Sequence, residues 1–424
     1  MRGLKIRSGS STSLWEYISI LMIVISSGSM YFTIMNVQNT LYVLLLVSVI
    51  MAAVGKISFQ AAKRNLIVLM AIVACVALNL IFNLQYAVFD NNIFILLIRL
   101  MSLFLIMSTI SEESFIKKYV QIMYVLSIIG LICFAYTMIV GYRLPFLVER
   151  NRNGINYYYT FYHTVGYRQI YNRNAGIFWE APANAIFITI AIALMICRPE
   201  LFLRGKHQIK YYIVFICAIV STLSVYAFIY LGIIAVLMLL SSKGKNRPSS
   251  QTEGEKKQNS RRKNYLLGFI VVLAVVIYAE NRFQLISHKL INRQGSYSTR
   301  FNDTYYSVIL GLRRLWTGYG IFNNYTVNEL RQFGIENNSN GLAILFMGIG
   351  LPMLVIASYF VCKHLKMLFN VTGLSLIIIV TLVFLFHFSE HLWLYTLFMS
   401  FLFVWRGSEK KLSNLENRKD TVND

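Results

Sequence analysis

A succession of apolar blocks, most of them about 17 to 25 residues long, constrains this chain more than any other feature. Helices of that length cross a bilayer, and the 424 residues are 57% hydrophobic and only 14% charged. The first block follows a basic start without a clear cleavage site, so we expect a retained anchor and a cytoplasmic N-terminus. Ten single-span candidates occupy residues 14–35, 40–55, 65–83, 92–110, 119–140, 176–197, 264–280, 340–361, 370–386 and 391–405.

Residues 211–240 form an apolar stretch that is too long for one upright helix and too short for two full spans, at about 1.5 Å per residue. The loop before it and the loop at 241–263 are both basic, which places both in the cytoplasm. The stretch then crosses an even number of times, most simply as a short helical hairpin that turns near Ser221 to Tyr226. We therefore predict an all-α polytopic fold of about twelve membrane helices, with a cytoplasmic tail at 406–424.

This topology leaves two large external loops, residues 141–175 and 281–339. They carry 12 basic residues, of which 11 are arginine and only Lys289 is not, whereas 17 of the 27 cytoplasmic bases are lysine. The planar fork of arginine holds phosphate or carboxylate with two parallel hydrogen bonds, so an external anionic ligand is implied. The alternative is contact with anionic lipid head groups, or ion pairs with the external acidic residues Glu149, Asp303, Glu329 and Glu336.

The first external loop also alternates tyrosines with His163, Arg168 and Arg173 in "NYYYTFYHTVGYRQIYNRN". Aromatic rings suit both the faces of sugars and the membrane interface, because each ring has an apolar face and a polar rim. An interfacial belt is therefore one interpretation. Together with the arginines, the loop fits a ligand that is part sugar and part phosphate.

Two ionisable residues lie inside apolar runs. Glu180 follows Arg173 by seven residues in "RNAGIFWEAPANAIFITIAIAL", and such a carboxylate is costly in a membrane unless it is paired or wet. It either pairs with an external arginine or acts as a base, and Pro182 suits the first turn of the span. Arg99, within "NNIFILLIRLMSLFLIM", either lines the same polar cavity or snorkels to the outer interface.

Three stretches resemble conserved blocks of the O-antigen ligase and polymerase superfamily, which contains the Wzy-type polymerases and WaaL-type ligases. "RNAGIFWEAPANA" is similar to the block that ends the first large external loop, and "YSTRFNDTYYSVILGLRRLWTGYGIFNN" to the block in the second. "NNSNGLAILFMGIGLP" is similar to the segment that enters the next span, with Asn340 followed ten residues later by Gly350. Ligases have histidine before that asparagine, whereas this chain has Ser339, so the resemblance favours a polymerase.

The resemblance implies a GT-C-like glycosyltransferase of the bacterial cytoplasmic membrane, with both termini inside and no metal or other cofactor. Its donor would be an undecaprenyl-diphosphate-linked oligosaccharide, and its further partners membrane lipid, a chain-length regulator and a flippase. Arg173 and Arg300 match the positions expected to hold the diphosphate. Arg313 and Arg314 complete that predicted set.

Glycosyl transfer from a lipid diphosphate also needs a base near the outer leaflet. Glu180 and Glu336 are the favoured candidates, with His163 and Asp303 as alternatives, and Glu336 precedes Ser339 by three residues. The predicted sugar and acceptor site consists of His163, Tyr319, Ser339 and Asn340.

Other functions compete with this interpretation. "HFSEH", residues 387–391, matches the H-x-x-E-H pattern of zinc peptidases, but little chain follows it to supply a distal ligand. A flippase would carry its charges inside its helices, and a ligase would share the donor site. Five cysteines without paired spacing predict neither disulfides nor a metal site, and bases spread over short loops argue against nucleic acid.

Overall fold

The computed structural model describes residues 9–84, 91–141, 144–152, 155–167, 173–202, 206–243, 296–321, 324–333, 340–390 and 392–407. These residues are mostly helical, which confirms the predicted class of a helical membrane protein. The chain divides into two compact units. Unit 1 comprises the described residues within Met1–Ile122, Thr304–Leu368 and His391–Asp424, and unit 2 those within Met123–Asp303 and Phe369–Glu390.

The described elements follow one another along the chain in the order given by this list: α1 (Gly9–Ile25), α2 (Val37–Val54), α3 (Phe59–Phe82), α4 (Asn91–Thr109), α5 (Glu112–Val140), β1 (Val148–Arg152), β2 (Ile155–Tyr159), β3 (Thr164–Tyr167), α6 (Ala181–Cys197), α7 (Lys206–Ser221), α8 (Val225–Lys243), α9 (Ser296–Arg313), α10 (Asn324–Gln332), α11 (Gly341–Phe369), α12 (Gly373–Ser389) and α13 (Thr396–Ser400).

The described residues include five helices that are long and apolar enough to cross a membrane. They are Val37–Val54, Phe59–Phe82, Asn92–Thr109, Glu112–Val140 and Gly341–Phe369. Shorter apolar helices are Thr12–Ile25, Ala181–Cys197, Gln208–Ser221, Val225–Leu240 and Gly373–Ser389. The predicted span at 264–280 lies outside the described residues, as does the part of the predicted second external loop at 281–295.

The apolar stretch 211–240 contains the end of α7, a break at Thr222–Ser224, and most of α8. Polar side chains hold the end of α7: the hydroxyl of Ser221 donates to the carbonyl of Ala218 at 2.8 Å, and that of Thr222 to Ile219 at 2.6 Å. Leu223 then adopts a left-handed φ of 46°, which stops the helix because a side chain is unfavourable there.

The predicted first span, 14–35, is not one continuous α-helix. Helix α1 ends at Ile25, the sequence Ser26–Ser29 follows, and a π-helical turn occupies Met30–Ile34. Ser27 Oγ donates to the carbonyl of Ile23 at 2.5 Å, and Gly28 has a φ of 116°. Serine side chains that satisfy backbone groups, next to a glycine, end the helix inside an apolar run.

The predicted last span, 391–405, is also wrong as a continuous helix, since only the five-residue helix α13 forms within it. All five residues of α13 are buried, so this short helix is an internal segment of unit 1. Side chains from other helices of unit 1 bind its backbone: the amide of Leu397 donates to Ser27 Oγ at 2.7 Å, and that of Val404 to Asn65 Oδ1 at 2.8 Å. Irregular backbone at membrane depth is tolerated only when it is satisfied in this way.

A three-stranded antiparallel sheet of order β1-β2-β3 lies within residues 141–175, the predicted first external loop, and is not part of the predicted all-α fold. Tyr157, Tyr158 and Tyr159 form much of the central strand, and Glu149 lies opposite Tyr158. Tyr159 is buried, whereas Tyr157 and Tyr158 are half-buried, and the pairing of β2 with β3 shifts its register between Tyr158 and Tyr159. The alternating aromatic pattern that predicted a ligand-binding loop therefore also has a structural cause, because aromatic residues favour strands.

Candidate functional site

The turn at residues 173–176, called here the Arg173 turn, is held in unit 2 by Asn174 and Asn184. The backbone amide of Asn174 donates to the carbonyl of Ser221 at 3.0 Å, and its Nδ2 donates to Ser221 Oγ at 2.9 Å. Asn184 Nδ2, one turn into α6, donates to the carbonyl of Asn174 at 3.2 Å. These contacts tie the turn to both α6 and the end of α7. The preceding residue, Arg173, is half-buried.

Gly176 is required at the end of the Arg173 turn. Its φ is +56°, and a Cβ atom there would lie 2.9 Å from Asn184 Oδ1. The amide of Gly176 closes the turn by donating to Asn174 Oδ1 at 3.0 Å. The "RNAG" sequence therefore encodes a tight turn in which asparagine and glycine have structural roles. Among its four residues, only arginine carries a charge that can serve a ligand.

Glu180 lies at the N-cap of α6, at the entrance to the apolar helix. Its carbonyl accepts from the amide of Asn184 at 3.2 Å, and its side chain makes no capping hydrogen bond. The rest of α6 is buried from Ala183 to Ile196, as is typical of a helix that is apolar on all sides. Glu180 is half-buried and lies at the positive end of the helix dipole of α6.

His163 and Thr164, at the start of β3, bring unused polar atoms close to the Arg173 turn. The amide of Thr164 donates to the carbonyl of Gly176 at 2.6 Å, which joins strand and turn. His163 Nδ1 and Thr164 Oγ1 are both buried and have no hydrogen-bond partner among the described residues. Buried polar atoms almost always have a partner, so two such atoms beside one turn indicate a place where a ligand or water binds.

Burial also sets the protonation state of His163. Desolvation of its ring lowers the pKa to about 4, so the imidazole is neutral at physiological pH. A neutral ring can donate one hydrogen bond and accept another, but with that pKa it is a poor general base. This pKa argues against the alternative role of His163 as a base, whereas its sugar-binding role stays a prediction.

Arg313, Arg314 and Tyr319, the predicted site residues of the second loop block, belong to unit 1. Arg314 Nη1 donates to Asn83 Oδ1 at 3.0 Å, and its guanidinium carbon lies 4.9 Å from the ring centroid of Tyr319. Arg313, the last residue of α9, is exposed. The structure thus brings Arg314 and Tyr319 together in a packed contact, whereas the side chain of Arg313 is exposed to solvent.

Asn340 is buried at the start of α11. Its Oδ1 accepts from the amide of Ala343 at 3.1 Å, and its Nδ2 donates to Thr304 Oγ1 on α9 at 2.7 Å. These contacts cap one helix and bind it to another, which gives the asparagine a structural role. Glu336 and Ser339 lie outside the described residues, and Arg300 is described only by its backbone position in α9.

The second and third motif blocks meet at a point that sequence reasoning missed. Residues 316–320 cross α11 at residues 347–351, and this contact is called here the glycine crossing. The amide of Tyr319 donates to the carbonyl of Met347 at 2.9 Å, and that of Gly320 to Gly348 at 3.0 Å. Gly318 and Gly350 both have positive φ, and a Cβ at Gly350 would lie 2.8 Å from the amide nitrogen of Gly318.

Asn79 on α3 completes the glycine crossing. Its Nδ2 donates to the carbonyls of Thr317 at 2.8 Å and Gly348 at 3.1 Å, while its Oδ1 accepts from the amide of Ile321 at 3.1 Å. In the sequence, the one indication of this structural role is that Asn79 is a polar residue inside the apolar run "ACVALNLIF". Asn340 therefore caps α11, and Gly350 allows the close approach of the two backbones, so both residues of this spacing have structural roles.

The predicted residues fall into two groups within different units: Arg173, Glu180 and His163 in unit 2, and Arg313, Arg314, Tyr319 and Asn340 in unit 1. No cluster of three or more histidine, cysteine, aspartate or glutamate residues is placed to hold a metal ion within the described ranges. The chain matches no protein-family model, and no curated protein or solved structure matches it significantly.

Proposed function

We propose that the chain is a polysaccharide polymerase that joins undecaprenyl-diphosphate-linked repeat units at the outer face of the cytoplasmic membrane. The proposal includes about twelve membrane helices in a GT-C-like arrangement, and it needs no metal. Two features of the sequence support it, namely the concentration of arginine in the external loops and the resemblance of three motif blocks.

The structural observation that carries the proposal is the Arg173 turn with its unused neighbours. A rigid turn anchored by Asn174 holds the backbone of Arg173, and the buried atoms His163 Nδ1 and Thr164 Oγ1 beside it have no partner. Sugar hydroxyls both donate and accept hydrogen bonds, so they would satisfy such atoms. A cation next to unsatisfied neutral polar groups suits a ligand with a sugar and a phosphate.

The reaction follows from these groups. An acceptor hydroxyl oxygen attacks the anomeric carbon, the bond from that carbon to the diphosphate oxygen breaks, and its electron pair leaves with the diphosphate. Arg173 stabilises the charge that develops on the leaving group. Glu180 takes the proton of the hydroxyl, and neutral His163 orients the sugar by hydrogen bonds. Arg300, Arg313, Glu336 and Ser339 remain predictions for the rest of the site.

A flippase is a second candidate, and it is favoured by one specific observation. Arg99 is buried in the apolar helix α4, with 5% of its surface exposed, and is thus an internal cation of the kind a flippase would use. This finding contradicts the snorkelling alternative for Arg99. A ligase shares the predicted donor site of the polymerase and is therefore distinguished by its acceptor.

The test is elongation of a defined lipid-linked repeat unit by the purified chain in EDTA. We expect products longer than one repeat, and we expect Arg173→Lys to reduce their formation at least 100-fold, because lysine cannot make the bidentate contact. The matched control is Arg150→Lys, a change at an exposed arginine of β1 in the same loop, which should elongate normally.

Two outcomes would count against the proposal. Full elongation by Arg173→Lys would remove the arginine from the mechanism. Failure of the wild-type chain to elongate, combined with accumulation of long carrier-linked polymer in a gene deletion, would indicate a ligase, since polymerase loss leaves single repeats.

A further inference from the structure

Helix α4 carries a buried cation that the proposed reaction does not use. Arg99 is the ninth residue of α4 and lies within the apolar segment Asn92–Thr109. A guanidinium inside a membrane helix is unfavourable unless an anion or polar groups compensate it. Within the described residues, no aspartate or glutamate forms an ion pair with Arg99.

Only part of the Arg99 guanidinium is satisfied by the protein. Its Nη1 donates to the carbonyl of Leu394 at 2.6 Å, in the irregular segment before α13. Its Nε is buried and has no hydrogen-bond partner in the part of the chain that the structure describes. In a planar guanidinium, Nε shares one edge with Nη2, and this edge is the one that binds an oxyanion with two parallel hydrogen bonds. The contact with Leu394 leaves the Nε donor of that edge unused.

Ser102 supplies a second unused donor. It follows Arg99 by three residues and therefore lies on the same face of α4. Its Oγ is buried without a partner, although a hydroxyl in a membrane helix usually donates to the carbonyl four residues earlier. Thr109 on the same helix does so, with a distance of 2.7 Å to the carbonyl of Leu105.

The break after α1 and the irregular segment before α13, both in unit 1, meet beside the carbonyl that Arg99 contacts. Ser26 Oγ donates to Thr396 Oγ1 at 2.8 Å, and the amide of Leu397 donates to Ser27 Oγ. The break after α1 is thus joined to α13, two residues after Leu394. In membrane proteins, pairs of interrupted helices commonly form binding sites, because they place polar backbone away from lipid.

We propose that the face of α4 with Arg99 and Ser102 binds a phosphate-type oxyanion. The class of ligand follows from the chemistry: Arg99 Nε and Ser102 Oγ offer hydrogen-bond donors, and the guanidinium adds a positive charge that only an anion neutralises. Either the diphosphate of a lipid carrier or free inorganic diphosphate has this chemistry. The site lies in unit 1 and does not depend on the Arg173 turn of unit 2.

The test measures thermal unfolding of the full-length chain in detergent, with inorganic diphosphate and with farnesyl diphosphate as probes. At probe concentrations well above Kd, we expect the Tm of the wild-type chain to rise by about 3 °C, because a ligand that binds only the folded state stabilises it. If farnesyl diphosphate produces the rise at a concentration at least tenfold lower than inorganic diphosphate does, the ligand is a lipid carrier. If both probes act at the same concentration, the ligand is free diphosphate.

Arg99→Met separates a binding role from a structural one. The variant should have a Tm equal to or above that of the empty wild-type chain, because it removes a buried charge without an ion pair, and it should lose the response to both probes. Arg331→Met, at an exposed arginine of α10 in the same unit, should keep the wild-type response.

The proposal is overturned if neither probe shifts the wild-type Tm, or if Arg99→Met responds as the wild type does. If Arg99→Met fails to fold, Ser102→Ala provides the test of the site, because it removes only one hydroxyl group. We expect that variant to keep the empty Tm and to bind the probe about fivefold to tenfold more weakly, and unchanged affinity would refute the site. Loss of the Tm response with normal elongation would leave the polymerase proposal standing.

Discussion

The Arg173 turn of unit 2 and the glycine crossing of unit 1 are both built with glycine at positive φ and with buried asparagine, but they differ in what they leave unused. In the crossing, Asn79 uses both its side-chain oxygen and its nitrogen on backbone groups. Beside the turn, His163 and Thr164 retain buried atoms without partners. Glycine at positive φ with buried asparagine thus braces helices in the crossing, whereas the turn lies beside polar groups for which we propose a ligand.

The largest expected effect is a loss of stability caused by Gly318→Ala in the glycine crossing. A Cβ there would overlap the backbone of Gly348, and the φ of +62° is unfavourable for alanine. We expect the free energy of unfolding to fall by roughly 3 kcal/mol or more, measured by thermal unfolding in detergent.

Gly232→Ala is the control for this change. Gly232 lies in α8 with open space around its Cα, so alanine should leave stability unchanged or raise it slightly. Equal stability of Gly318→Ala and wild type would show that the crossing is not a brace.

A second pair of variants makes the same chemical change in both regions. Asn79→Leu leaves the carbonyl of Thr317 and the amide of Ile321 without their partner, so we expect a loss of roughly 2 to 3 kcal/mol in stability. Asn184→Leu removes one hydrogen bond to Asn174, and should cost about 1 kcal/mol but reduce elongation more than tenfold, because it loosens Arg173.

Thermal unfolding and elongation rates, measured on the same preparations, decide this comparison. If both variants lose the same stability, or if Asn184→Leu retains full activity, the glycine crossing and the Arg173 turn do not differ in role.

The pH dependence of stability tests the neutral state of His163. Its folded pKa of about 4 lies below the ordinary value of 6.5, so the unfolded chain binds the extra proton first as the pH falls. The stability that this neutral ring provides is complete above about pH 6.5 and is lost as the pH falls toward 4. The loss should reach roughly 2 kcal/mol at pH 5.

His163→Gln isolates this contribution, because glutamine does not titrate. The wild type should lose more stability between pH 7 and pH 5 than the variant does, in thermal unfolding at both values. Parallel pH profiles would mean that His163 is not buried as a neutral ring.

The sequence predicted the helical membrane class because apolar length depends on local composition alone. It was wrong about continuity at Ser26–Ser29 and after His391, since those runs are equally apolar whether they face lipid or other helices. It also missed the sheet and the crossing, which depend on contacts between distant residues such as Asn79 and Gly348. Of the candidate site, the order of Arg173 and Glu180 at the start of α6 could be read from the sequence, whereas the unused atoms of His163 and Thr164 were not predicted.

The smallest expected effect separates two adjacent arginines that the sequence treats alike. Arg314→Gln removes the contact with the Tyr319 ring and the hydrogen bond to Asn83, so thermal unfolding should show a loss of about 1 kcal/mol. Arg313→Gln should leave stability unchanged, because that side chain is exposed.

Elongation assays should then rank the two variants in the opposite order. An exposed guanidinium can turn toward a diphosphate, whereas one that is packed against a ring and bound to an asparagine must first break those contacts. Arg313→Gln should therefore reduce elongation more than Arg314→Gln does. The reverse ranking in both assays would instead make Arg314 the ligand-binding residue of this pair.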